Sequence, residues 1–63
     1  MRIADKLSKV NEAYTVTMVD NGFLFEIGGR DEEGDWSNAK FIVADIDDLI
    51  LLVREASELP RDS

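Results

Sequence analysis

The segment Tyr14-Thr15-Val16-Thr17-Met18-Val19-Asp20-Asn21-Gly22-Phe23-Leu24-Phe25-Glu26-Ile27 organises the rest of the chain. Tyr14–Val19 alternates β-branched and aromatic residues with others, the pattern of a strand. Asn21-Gly22 follows, a dipeptide suited to a type I′ turn because both central positions of that turn need φ > 0. Phe23–Ile27 is then the returning strand. With Asn21 and Gly22 as the loop, Asp20 opposes Phe23, Val19 opposes Leu24, Met18 opposes Phe25, Thr17 opposes Glu26 and Val16 opposes Ile27. One face then holds Tyr14, Val16, Met18, Phe23, Phe25 and Ile27. The other holds Thr15, Thr17, Val19, Leu24 and Glu26. A slip of one residue would destroy this agreement.

The flanks follow from the hairpin. Gly28-Gly29 ends the second strand, Arg30–Asn38 reads as a polar loop, and residues 39–43 form a third strand. Phe41 and Val43 join the core face, with Lys40 and Ile42 opposite. Upstream, Ile3, Leu7 and Val10 recur at i, i+4 and i+7, which predicts a helix over about 2–12. Asp5 lies early in it and Lys6 and Lys9 later, as a helix dipole favours. Downstream, Asp45 reads as an N-cap with Asp47 and Asp48 in the first turn of a helix over about 46–59 that stops before Pro60. Ile46, Leu49, Leu52, Val53 and Ala56 form its core stripe, with Asp47, Leu51, Glu55 and Glu58 on the far side. Residues 60–63 read as a loose tail. The expectation is one α+β domain over residues 1–63, in the order α-β-β-β-α. It is a two-layer arrangement, a three-stranded antiparallel meander with both helices on one face.

At 63 residues the chain supports one small core, worth about 3–5 kcal/mol of net stability. It has neither cysteine nor histidine, which removes thiolate chemistry, the commonest metal ligands and the commonest general base. Composition therefore argues against an enzyme and implies no cofactor. Fourteen acidic residues against seven basic ones give a net charge of −7, which disfavours direct contact with nucleic acid or an anionic membrane. The longest apolar run, Leu49–Val53, is far too short for a bilayer span. No charged segment followed by an apolar one opens the chain, so the expected compartment is a cytoplasm.

Two helices cover only one face of such a sheet. The other shows Val19, Leu24 and Ile42 among Thr15, Thr17, Glu26 and Lys40, with Trp36 able to fold onto it. An ordinary half-solvated antiparallel sheet accounts for this pattern. So does a protein interface, because small domains rarely leave apolar neighbours uncovered without a use. Homodimerisation through this face, through the edge of the first or third strand, or through Leu51 is a further expectation.

Asp31-Glu32-Glu33-Gly34-Asp35 does not match a calcium loop: its glycine falls too early, and Ile42 stands where a bidentate glutamate belongs. It reads as a solvated charge run. Arg30, Trp36 and Lys40 share one hairpin connection and together suit a small nucleotide, with an indole to stack and two cations for phosphate. The bland alternative has Trp36 closing the core edge and Arg30 paired with nearby acids. Glu32, Glu33 and Asp35, with Asp20, Glu26, Asp31, Asp45, Asp47 and Asp48, also offer an anionic surface that could dock into a basic nucleic-acid groove of another protein. Solubility alone would explain the same charges.

The size, the absence of Cys and His, the acidity and the short helix feeding AYTVTMVDNGFLFEI together resemble small bacteriophage accessory proteins. The α-β-β-β-α order and acidity are similar to some anti-CRISPR proteins. That resemblance implies a non-enzymatic counter-defence protein in the host cytoplasm, inhibiting a host nuclease or related protein by occupying its nucleic-acid-binding surface. It is one of layout and composition over the whole chain, with no family motif.

Overall fold

A computed structural model describes residues 2–62. The fold is α+β: a three-stranded antiparallel meander of β1 (Lys9–Val19), β2 (Gly22–Arg30) and β3 (Trp36–Val43), in that spatial order, followed by α1 (Ile46–Glu58). Core residues of the sheet are Phe25, Ile27, Ala39, Phe41 and Val43. Leu49, Leu52 and Ala56 of α1 close over them, joined by Ile3, Leu7 and Val10. The covering elements therefore lie on one face.

The first covering element is not a helix over 2–12. It is a 3-10 turn, Ile3–Asp5, and the chain is already in β1 by Lys9. Ile3, Leu7 and Val10 are all buried, so the periodicity found the right side chains in the wrong backbone. Tertiary pairing supplies the reason. Lys9 pairs with Arg30, Ser8 N–H donates to Arg30 O at 2.8 Å, and Val10 is held on both sides. An isolated helix this short is marginal and yields to such partners.

The hairpin keeps its expected faces but not its register. Val19 pairs with Gly22, Thr17 with Leu24 and Val16 with Phe25, so Asp20 and Asn21 are the loop. The shift is two residues, which is why no side chain changes face. Among the described residues no non-glycine residue has positive φ, so Asn21 does not adopt the I′ conformation. Gly22 instead serves a close approach: a Cβ there would collide with the carbonyl oxygen of Val43.

Gly28-Gly29 does not end β2, which continues to Arg30. β3 starts at Trp36 rather than residue 39, leaving Asp31–Asp35 as the connection. Asp31 organises that loop: its Oδ1 accepts from the N–H groups of Glu33 (2.9 Å) and Asp35 (3.0 Å). In β1 the ladder is irregular between Val10 and Tyr14, where Asn11, Glu12 and Ala13 stand opposite Gly28 alone.

Asp45 occupies the N-cap position in extended conformation, but its side chain makes no capping bond. Ile46, expected in the core stripe, is exposed, and Glu55, expected on the far side, is largely buried. Both differences have one cause: α1 sits over β2 and β3, turned toward the 3-10 turn and away from β1. Nor is the C-terminal segment loose over residues 60–62. Val10 N–H donates to Pro60 O (2.9 Å) and Asp62 N–H to Val10 O (2.8 Å), a parallel bridge on the edge of β1. Ser63, the last residue of the expected tail, lies outside the described residues. No helix among the described residues is long and apolar enough to cross a membrane.

Candidate interaction surface

The outward face of the sheet carries the residues that alternate with the core. Thr15, Glu26 and Lys40 form one row across the three strands, and Thr17, Leu24 and Ile42 form the next. Leu24, on the central strand, is half-buried by its neighbours, while Ile42 is 73% exposed. Val19, at the end of β1, is partly open on the same face. Val19, Leu24 and Ile42 thus share one surface that no element among the described residues covers. Leu51 does not belong to it: it projects from α1, in the opposite layer, beside Asp48 and Glu55.

At the far end of this face Arg30 pairs with Trp36 across β2 and β3. The Trp36 ring lies over Gly28, where a Cβ would run into it. The Arg30 guanidinium sits 5.6 Å from the ring centroid and its Nε donates to Asp62 Oδ2 at 3.1 Å. Arg30 is therefore already engaged on two sides. Lys40 lies four residues along β3 from Trp36, about 13 Å at strand rise, and its cross-strand partner is Glu26. The three residues expected to form a nucleotide site do not converge, because extended backbone separates same-face neighbours.

Most of these carboxylates fall into two groups rather than one continuous surface, with Glu26 between them opposite Lys40. Glu32, Glu33 and Asp35, all exposed, lie at the β2–β3 connection. Asp20, Asp45, Asp47 and Asp48 lie at the other end of the strands, around the β1–β2 turn and the start of α1. β2 spans the distance between them, roughly 27 Å for nine extended residues. The Leu24–Ile42 pair lies between these acidic poles. Among the described residues no group of three His, Cys, Asp or Glu side chains is placed to hold a metal ion.

Two depressions mark the helix layer. One, of about 240 Å³, is lined by Asp48, Leu51, Leu52 and Glu55. The other, of about 110 Å³, lies between α1 and the irregular part of β1, lined by Tyr14, Ile27, Val53 and Ala56 among others. Both are smaller than the roughly 300–1,000 Å³ of typical ligand pockets.

A second exposed apolar row escaped the sequence reading. Tyr14, Val16 and Met18 lie on the core face of β1, yet α1 leaves them open, Met18 by 81%. Tyr14 leans on Phe25, with ring centroids 5.0 Å apart. The signal available in the sequence was the absence of any charge from Ala13 to Val19. No family model, curated protein or solved structure matches this chain.

Proposed function

We propose that this chain is a non-enzymatic binding protein that inhibits or modulates a basic, nucleic-acid-handling partner, as a phage-encoded counter-defence protein would in its host. The observation supporting this most directly is the uncovered Leu24–Ile42 pair set between two acidic poles on one small rigid sheet. The apolar centre supplies contact area, and the poles supply steering and register toward a cationic surface. Carboxylates roughly 27 Å apart along β2 would engage the two banks of a basic groove, with the sheet face between them.

The test begins with a basic protein captured on the immobilised chain from bacterial lysate at low salt and released at high salt. Reversing Glu32, Glu33 and Asp35 to lysine should weaken that complex more than tenfold, and Ile42→Lys should weaken it independently. Affinity unchanged by the triple reversal rules the reading out.

A further inference from the structure

β1 is an edge strand of the sheet, with β2 on one side only. Val10 turns its N–H and C=O away from β2: the N–H donates to Pro60 O and the C=O accepts from Asp62 N–H. In an antiparallel ladder such outward-turned residues alternate with inward-turned ones. Gly29, Ile27, Phe25 and Phe23 share one phase along β2, so their partners Val10, Tyr14, Val16 and Met18 share it along β1. Tyr14, Val16 and Met18 therefore hold their main-chain donors and acceptors toward the open edge, and their side chains form the uncovered apolar row.

Natural edge strands are usually protected by lysine, proline, a charge or a covering element. Here the C-terminal segment protects only the beginning of β1, at Val10. Ala13–Val19 contains no charged residue and no proline in a chain that is 33% charged. The window is bounded by the tail at one end and by the Asp20-Asn21 turn at the other, and its midpoint is Val16.

We infer that two copies associate through antiparallel β1–β1 pairing about a two-fold axis at Val16, giving one continuous six-stranded sheet. In this register Val16 pairs with the second copy's Val16 and Tyr14 with its Met18. The three outward-turned residues of each copy are all used, through about six main-chain hydrogen bonds. A strand of the same length, with its apolar residues in the same phase, is what the window fits, and β1 is itself that strand. The neutrality of Ala13–Val19 also selects a second copy over a cationic peptide, which would find no carboxylate along the window. The two sheets join edge to edge, so both outward faces point the same way. The pairing is independent of the acidic-poles reading and would double that surface.

Light scattering over a concentration series should show mass rising from one chain to two. Val16→Lys, at a partly exposed position, places two ammonium groups side by side on the axis. It should raise the dissociation constant more than tenfold while circular dichroism reports an unchanged fold. Ile42→Lys should leave the dimer intact. Raised salt should strengthen this dimer, because each copy carries a net charge of −7 and screening relieves their repulsion. Capture of a basic partner would respond in the opposite direction, so the two readings fail separately. The register gives a second test. Paired residues at the axis have Cα atoms about 5.5 Å apart, within the roughly 4.4–6.8 Å of a disulfide. Val16→Cys should therefore cross-link two chains on oxidation much faster than Ile42→Cys. A single-chain mass at every concentration, a dimer lost in Ile42→Lys but kept in Val16→Lys, or equal cross-linking rates would each overturn the proposal.

Discussion

Glu55 holds the N-terminal segment onto the helix: its Oε1 accepts the N–H of Ile3 at 2.8 Å from 52 residues away. Oε2 accepts from Ala4 N–H at 3.0 Å and from Arg2 Nε at 3.3 Å. One carboxylate thus satisfies two main-chain donors of a 3-10 turn that has no side-chain cap of its own. Ile3, seated by this clasp, is fully buried against the core.

Removing the acceptor should loosen the N-terminal segment. Glu55→Ala leaves the part-buried Ile3 N–H without a partner and frees the exposed Ala4 N–H, and should cost about 1–3 kcal/mol in urea unfolding. Glu55→Gln keeps one oxygen and should cost less. Burial pushes the Glu55 carboxyl pKa up, but the hydrogen bonds from Ile3, Ala4 and Arg2 together outweigh it, leaving the pKa below its ordinary value of 4.5. A carboxyl depressed in the folded state stabilises fully above its unfolded pKa and loses that contribution as pH falls through the folded one. The stability gap between the native chain and Glu55→Gln should therefore shrink on acidification from neutral to below 4.5. A constant gap would exclude the clasp as the cause.

Gly29 is required by proximity, not by an unusual backbone angle. A Cβ there would meet the carbonyl oxygen of Lys9, a main-chain atom with no freedom to move aside. Gly29→Ala should destabilise by about 3 kcal/mol or more, at the upper end for single substitutions. Gly34 has open space around it and φ of +84°. Gly34→Ala should cost only the left-handed backbone strain, about 1–2 kcal/mol. Thermal melts of the two variants give the order directly.

Deleting residues 60–63 should expose the Val10 amide, whose donor otherwise reaches Pro60 O at 2.9 Å. Hydrogen exchange at Val10 should accelerate sharply in the truncated chain while Phe25, in the central strand, stays protected. Asp62→Ala removes only the Arg30 ion pair, whose side chains are 42% and 28% exposed. Such a pair contributes at most about 1 kcal/mol, so Val10 should remain protected in that variant. Equal exchange in the native and truncated chains would show that the tail does not seal the edge.

Phe25 and Met18 share a face but not an environment: Phe25 is 0% exposed and Met18 81%. Phe25→Ala should cost about 3–5 kcal/mol. Met18→Ala, measured at a concentration where the chain is monomeric, should stay within about 0.5 kcal/mol. Comparable losses would mean that α1 covers β1 as well.

Alternation alone separated the two faces of the sheet. Phe25 and Ile27 fell to the core, Leu24 and Ile42 to the outside, and the two-residue register shift left those assignments untouched because side-chain direction repeats every two residues. The heptad-like spacing of Leu49, Leu52 and Ala56 likewise placed the last helix and its buried side. What local pattern misread was the start of the chain. Ile3, Leu7 and Val10 satisfy helical spacing, yet their burial comes from a 3-10 turn followed by a strand.

The α+β class, the meander, the closing helix and the anionic character are thus all legible in the order of the residues. Each rests on short-range periodicity or on composition, which the chain carries without reference to its folding partners. Tertiary structure alone decided the rest: Glu55 reaching back 52 residues to Ile3, the tail sealing only Val10, the separation of Arg30 and Trp36 from Lys40, and α1 settling over β2 and β3 so that Tyr14, Val16 and Met18 stay open. These depend on where a helix lands on a sheet and on which distant main-chain groups meet, and neither is written in the spacing of neighbouring residues.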